Sequence, residues 1–248
     1  MASISATDGK RKVAVLMPAW NAERYIGDAI GSLLAQRDAA KLDIIVVDDG
    51  STDATQAVLA DLARASPEVR LIATTHVGVP RARNIALDAI APDTDFVAFL
   101  DADDLSAPGR FARALPALSG GNIDVHWAMT QSFVDGAEIG GENSSPPERG
   151  SQLGAVLCTT AALRAVGHFN AALSLAEDVD FLLRLLETSP RLELSSDVAV
   201  LYRLHASNTT RDTASKRRYL TKAYLAAAHR RRHGAPAIPA GLFQPGER

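Results

Sequence analysis

The chain has 248 residues and a formal net charge of −3, long enough to bury roughly 70–75% of its extended surface and not basic enough for a general nucleic-acid binder, which leaves room only for a local basic patch. Its 47% hydrophobic and 22% charged residues read as one globular α/β domain, which excludes a disordered or collagen-like chain. The lone Cys158 excludes an internal disulfide or a cysteine zinc cluster, and no apolar stretch suggests a signal peptide or a membrane span, so a cytoplasmic protein is expected.

In chain order, residues 1–11 form a polar arm, expected to be flexible. Val13 to Met17 is a continuous apolar strand, and Ala22 to Gln36 places Tyr25, Ile26, Ala29, Ile30, Leu33 and Leu34 at helical spacing. Strands at Ile44 to Val47, Val69 to Ala73 and Phe96 to Leu100 alternate with helices at Ala54 to Ala65 and Arg81 to Ile90. Near-continuous apolar strands alternating with helices imply βαβ crossovers and a mostly parallel sheet covered on both faces. After Asp104 come a helix (Pro108 to Leu118), a period-two strand (Asp124 to Val134) and a loop-like stretch, Gly136 to Gly154, the best candidate for a mobile segment. Thr160 to Val166 and Glu177 to Leu186 read as helices and Leu192 to Leu201 as extended. Thr213 to His233 is a basic, alanine-rich helix, and Gly234 to Arg248 is a loosely held tail.

Ligands of open parallel sheets bind outside the carboxyl ends of the strands, and these ends are polar here. Asp101-Ala102-Asp103-Asp104 puts three carboxylates in four residues, which repel unless protons or a hard divalent ion intervene. If the chain stays extended, Asp101 and Asp103 share a side; the plainer alternative is an acidic turn with Asp104 capping the next helix. Asp48-Asp49-Gly50-Ser51-Thr52-Asp53 joins a turn and a helix cap to two strand-end aspartates, one of which would accept hydrogen bonds from a nucleobase or a ribose. Trp20 suits a stacking surface for a base or a core position. Arg81 and Arg83 would meet a diphosphate, unless Arg83 pairs with a nearby aspartate.

Taken together and in this order, VAVLMPAWN, IIVVDDGSTDAT, VGVPRARNIAL, VAFLDADD, VGHFN and EDVDFLLRL resemble family 2 glycosyltransferases with the GT-A nucleotide-sugar-binding fold. The resemblance runs from about Lys12 to His205. It implies an α/β domain over 12–210, with a nucleotide-sugar half (12–104) and an acceptor half (105–210), followed by a basic helix and tail (211–248). By the same resemblance Pro18, Trp20 and Asp49 would hold the nucleotide base, with Asp48 in support, and Arg83 would contact the nucleotide or a phosphate. The DxD positions fall at Asp101 and Asp103, with Asp103 preferred as the direct ligand of Mn2+ or Mg2+ and Asp104 a further candidate. Asp178 of the Glu177-Asp178 pair would be the catalytic base, the bland alternative being that both carboxylates merely complement the helix dipole. In YRLHASNTT, His205 would be a third metal ligand or a phosphate contact.

The implied reaction moves a sugar, with inversion, from a nucleoside diphosphate donor, UDP preferred, to an acceptor hydroxyl that is saccharide or lipid-linked. The rival readings are a non-catalytic nucleotide-sugar-binding protein and a haloacid-dehalogenase-like phosphatase, since FLDADD also resembles the strand-end DxD of that class. His168 stands where many family members have glycine, with a bearing on acceptor entry. The basic tail helix, with Lys216, Arg217, Arg218, Lys222 and Arg230 to Arg232, would meet an anionic membrane surface or remain a solvated face. His229 and His233 belong to that basic face.

Overall fold

A computed structural model describes residues 9–206, 208, 213–238 and 242. Most of the expected arm and most of the tail after Gly234 lie outside the described residues. In chain order the elements are β1 (Lys12–Ala19), α1 (Ile26–Leu34), β2 (Lys41–Asp48), α2 (Thr55–Ala65), β3 (Val69–Ala73), α3 (Val79–Asp88), β4 (Phe96–Phe99), β5 (Leu105–Ser106), α4 (Arg110–Ser119), β6 (Val125–Val134), β7 (Val156–Thr159), α5 (Thr160–Val166), α6 (Glu177–Glu187), β8 (Leu192–Leu204) and α7 (Thr213–Arg232).

The apolar strands are continuous because both faces of the sheet are covered. Val13, Val15, Met17, Ile44 and Val46 point into one core, with Ile26, Ile30 and Leu33 of α1 and Phe111 and Leu115 of α4. Their neighbours Ala14, Leu16, Ile45 and Val47 point into the other, with Ala82 and Ala86 of α3 and Phe181, Leu182 and Leu185 of α6. The period of two through Val13–Met17 and Ile44–Val47 thus feeds two cores, and these stretches hold no polar residue.

The eight strands run in the order β3-β2-β1-β4-β7-β6-β8-β5. β3, β2, β1 and β4 are parallel, as are β6 and β8. β7 is antiparallel to both β4 and β6, and β5 is antiparallel to β8. The chain leaves β1 toward β2 and β3 and returns on its other side as β4, so the strand order reverses at β1. A crevice opens at such a reversal, beyond the carboxyl ends of the strands.

Two local expectations change. The third helix starts two residues earlier than its apolar spacing implied, because Pro80 fits the first turn, where its missing N–H costs nothing. The stretch Gly136 to Gly154 is not a free loop: it folds back along β6, where Thr130 and Glu148 exchange backbone hydrogen bonds of 2.9 and 2.8 Å and the Ser145 amide donates to the Ser132 carbonyl at 2.8 Å. β5 and β7, two and four residues long, are too short for any periodicity to announce.

α7 lies on the side of α6 away from the sheet. Ala223 and Ala227 pack with Leu173, Val179 and Leu183, and Tyr224 joins that cluster. Arg230 donates to Asp180 at 3.2 Å and to Glu187 at 2.5 Å, two buried carboxylates of α6. Among the described residues no helix is long and apolar enough to cross a membrane.

Candidate active site

The polar strand ends meet at the β1–β4 crevice. Pro18 is buried as the penultimate residue of β1, whereas Trp20 is 51% exposed and its indole lies against the His76 ring, with centroids 4.7 Å apart. Of the two roles open to Trp20, the core role is excluded. Asp49 is 3% exposed, and its two carboxylate oxygens accept the Val77 amide at 2.6 Å and the Gly78 amide at 2.8 Å. Asp49 therefore ties the end of β2 to the loop that starts α3 and carries His76. Asp48 is also buried and accepts the Ser51 amide at 3.2 Å, while Asp53 accepts the Thr55 amide at 3.0 Å in the first turn of α2. Sequence reasoning passed over His76; an isolated histidine in a loop gives no periodic signal.

Across the crevice, Arg83 is buried and paired on both sides, with Asp101 at 2.7 Å and Glu177 at 2.5 Å. Of its two alternatives, pairing with a carboxylate is the one found. Burial alone would lower the pKa of the Arg83 guanidinium, but the charges of Asp101, Glu177 and Asp178 outweigh it and raise it. Burial pushes Glu177 up to about 7 against the pull of Arg83, and the neighbouring charge of Asp178 adds to the rise. Asp178 itself is half-buried, and one of its oxygens accepts the Val179 amide at 2.7 Å. Arg83 thus bridges the strand-end acidic turn to the first turn of α6, where Asp178 stands.

Residues 101–104 do not stay extended. The Asp104 amide donates to the Asp101 carbonyl at 3.2 Å, closing a turn, so Asp101 reaches Arg83 while the Asp103 carboxylate meets the His205 imidazole Nε2 at 2.9 Å. Asp104 caps no helix; it is buried and accepts the backbone amide of Arg203 at 2.9 Å. Burial and the charges of Asp103 and Asp101 push the Asp104 carboxyl well above the usual range, and burial followed by Asp101 raises Asp103. Among the described residues no group of three or more His, Cys, Asp or Glu side chains gathers to hold a metal. The Asp103–His205 pair nonetheless fits one: a carboxylate oxygen and an imidazole nitrogen from different elements, in a cluster whose mutual repulsion a cation would relieve, suit Mn2+ or Mg2+ sharing its shell with diphosphate oxygens.

His168 lies away from this cleft, 2.8 Å from Asp88 in the last turn of α3, the end opposite Gly78. The rings of His229 and His233 lie 4.2 Å apart, tilted against each other, at the exposed C-terminal end of α7. Arg81 is exposed on α3. Two members of the site gave little warning in the sequence. Glu177 read only as half of an acidic pair, and Arg203 reads as one more charge on a strand until its partners are known.

The family model "Glycosyl transferase family 2" matches residues 14–156, from β1 to the start of β7. An uncharacterized glycosyltransferase of Nostoc sp. is 31% identical over 153 residues, covering 60% of this chain and 46% of that protein. The succinoglycan biosynthesis protein ExoW of Rhizobium meliloti is 34% identical over 119 residues, covering 47% of this chain and 37% of its own. The match therefore spans less than half the length of these curated relatives. Among solved structures, residues 1–349 of S. aureus TarS in complex with UDP-GlcNAc superpose with a TM-score of 0.69 at 20% identity, covering 86% of this chain and 66% of that one. The mannosyltransferase PcManGT from Pyrobaculum calidifontis, in complex with GDP-Man and Mn2+, gives 0.70 at 18% identity, covering 95% and 67%. The fold is the GT-A fold that the sequence motifs imply.

Proposed function

The chain belongs to glycosyl transferase family 2, and on that premise we propose that it moves a sugar from a nucleoside diphosphate donor to an acceptor hydroxyl with inversion at the anomeric carbon. The observation that carries this reading is the meeting of two acidic segments at one crevice: Asp103 with His205, Asp101 with Arg83, and Arg83 with Glu177 next to Asp178. A UDP-sugar is the preferred donor, in keeping with the UDP-GlcNAc held by the TarS structure. The indole of Trp20 receives the base; Asp48 and Asp49 fix the loops around it, and Pro18 sets the exit of β1 behind Trp20. Asp103 and His205 hold Mn2+ or Mg2+, with Asp101 beside them. When bound, that ion stabilises the charge developing on the leaving diphosphate.

Asp178 takes the proton of the acceptor hydroxyl as its oxygen attacks from the side opposite the diphosphate. Arg83, hydrogen-bonded to both Asp101 and Glu177, keeps the donor and acceptor halves in register. A saccharide acceptor is favoured by the relative named for succinoglycan biosynthesis.

Thermal shift across a panel of nucleotide sugars, each with Mn2+, Mg2+ or EDTA, tests the donor and the cation together. Stabilisation by one donor only when a divalent ion is present is the expected result. Stabilisation by none sinks the reading, and binding without any release of the nucleoside diphosphate in the presence of acceptor saccharides would make the chain a binding protein only. The exposed side of α7 presents Arg217, Arg218, Lys222, His229 and Arg232 around the exposed Leu225, and we assign it to an anionic membrane surface near lipid-linked acceptors. Binding to anionic lipid vesicles that falls with salt is expected; absence of binding at low salt leaves a solvated face.

A further inference from the structure

Arg203 lies one residue from the end of β8 and is buried, yet no single carboxylate accounts for it. Its backbone amide donates to Asp104 Oδ1 at 2.9 Å and its Nε to the Asp103 carbonyl at 2.9 Å. The remaining arms reach Asp135 Oδ1 at 2.9 Å and Asp28 Oδ2 at 3.3 Å. The guanidinium lies over the rings of Tyr25 and Phe133, at 5.1 and 5.0 Å. His205, the residue after β8, shares that side, since its ring lies 4.6 Å from the same Tyr25 ring.

We propose that Arg203 is the positioning residue of the Asp103–His205 pair, holding the acidic turn and the end of β8 at a fixed separation so that a divalent cation meets two donors already in place. The inference rests on the metal reading given above. Arg203 grips the turn at the Asp103 carbonyl and at the Asp104 carboxylate, on both sides of the peptide that follows Asp103, so the backbone under the Asp103 carboxylate cannot swing away from His205. It also brings a fixed positive charge to a turn whose three carboxylates repel one another. Anchors at Asp28 on α1 and Asp135 after β6 fix the fork itself, since a planar guanidinium held at several nitrogens has little freedom left. Residues that orient metal ligands in this way typically set 10–100-fold of metal affinity.

The test is calorimetry of UDP binding with Mn2+ and with EDTA, the ratio of the two affinities measuring the metal's contribution. Arg203→Lys keeps the backbone bond to Asp104 and a positive charge but loses the fork. It is expected to cut the Mn2+-dependent gain by about 10–100-fold while leaving UDP affinity in EDTA unchanged, a split that a general loss of stability would not produce. Asp135→Asn removes one anchor of the fork and is expected to cut the gain in the same direction by less, which keeps the proposal readable if Arg203→Lys does not fold. A folded form of either variant with the full Mn2+ gain overturns the role of Arg203 alone, provided that His205→Ala loses the gain. Wild-type protein with no Mn2+ gain overturns the metal reading and this inference together.

Discussion

The guanidinium of Arg83 is enclosed, at 4% exposure, and is flanked by a carboxyl group on each side, Asp101 and Glu177. The cost of that arrangement falls on Glu177. Its carboxyl, ordinarily near 4.5, is pushed up to about 7 by burial against the pull of Arg83. Between those values the folded chain holds a proton that the unfolded chain has lost, so Glu177 makes stability fall as pH rises through that window. Urea unfolding at both ends of the window should show this slope, and Glu177→Gln, neutral throughout, should flatten it. Asp178 has a different assignment, as the group that takes the acceptor's proton. Asp178→Asn is expected to lower turnover by about 10²–10⁴-fold with the fold intact, as steady-state kinetics and circular dichroism would report; near-normal turnover removes Asp178 from the role. The carboxylates at 101–104 were legible because clustered carboxylates at a strand end are unusual. Their partners were not: that Asp101 turns to Arg83 while Asp103 turns to His205 depends on a turn at 101–104, which a run of aspartates does not disclose.

Among the elements, α6 depends on a charge brought by its neighbour. It buries Asp180 and Glu187, and the cation that α7 brings to both is Arg230. Arg230→Ala would leave Glu187 buried without that hydrogen bond, and a loss of about 1–3 kcal/mol is expected from chemical denaturation; no loss would mean that α7 does not brace the helix carrying Asp178. The loop after β2 makes a second demand. Gly50 has φ +71, and a Cβ there would lie 2.7 Å from the His76 amide nitrogen. Gly50→Ala should cost more than about 1 kcal/mol, and displacement of the His76 loop should weaken UDP binding beyond the loss of stability, as calorimetry would register. Elements with their own periodicity were legible: β1, β2 and the amphipathic α1 and α4 follow from apolar spacing alone. β5 and β7 were not, because each exists only through pairing with a distant strand, and the stretch from Gly136 to Gly154 looked free because its hydrogen bonds to β6 leave no trace in composition.

At the level of the whole molecule, the reversal of strand order at β1 is what makes a site. It opens a crevice between β1 and β4 and brings the ends of β2 and β4 within reach of α3, α6 and the last residues of β8. The first half of the chain supplies Trp20, Asp49, Arg83 and Asp103; the second half supplies Glu177, Asp178, Arg203 and His205. Fold class could be read from the order of strand-end motifs, and with it the grouping of Trp20, Asp49 and Asp103 at one rim, since each motif lies next to the strand that positions it. The joining of the two halves could not, because it runs through side chains about a hundred residues apart, such as Asp103 with His205 and Arg83 with Glu177. The central claim is that these halves enclose one nucleotide diphosphate and one divalent cation. A crystal structure of the protein with UDP and Mn2+ tests it most directly, through the anomalous scattering of manganese. A manganese peak bound by Asp103 and His205, with the uracil against Trp20, is the expected result; manganese and UDP bound away from the β1–β4 crevice would overturn the proposed site.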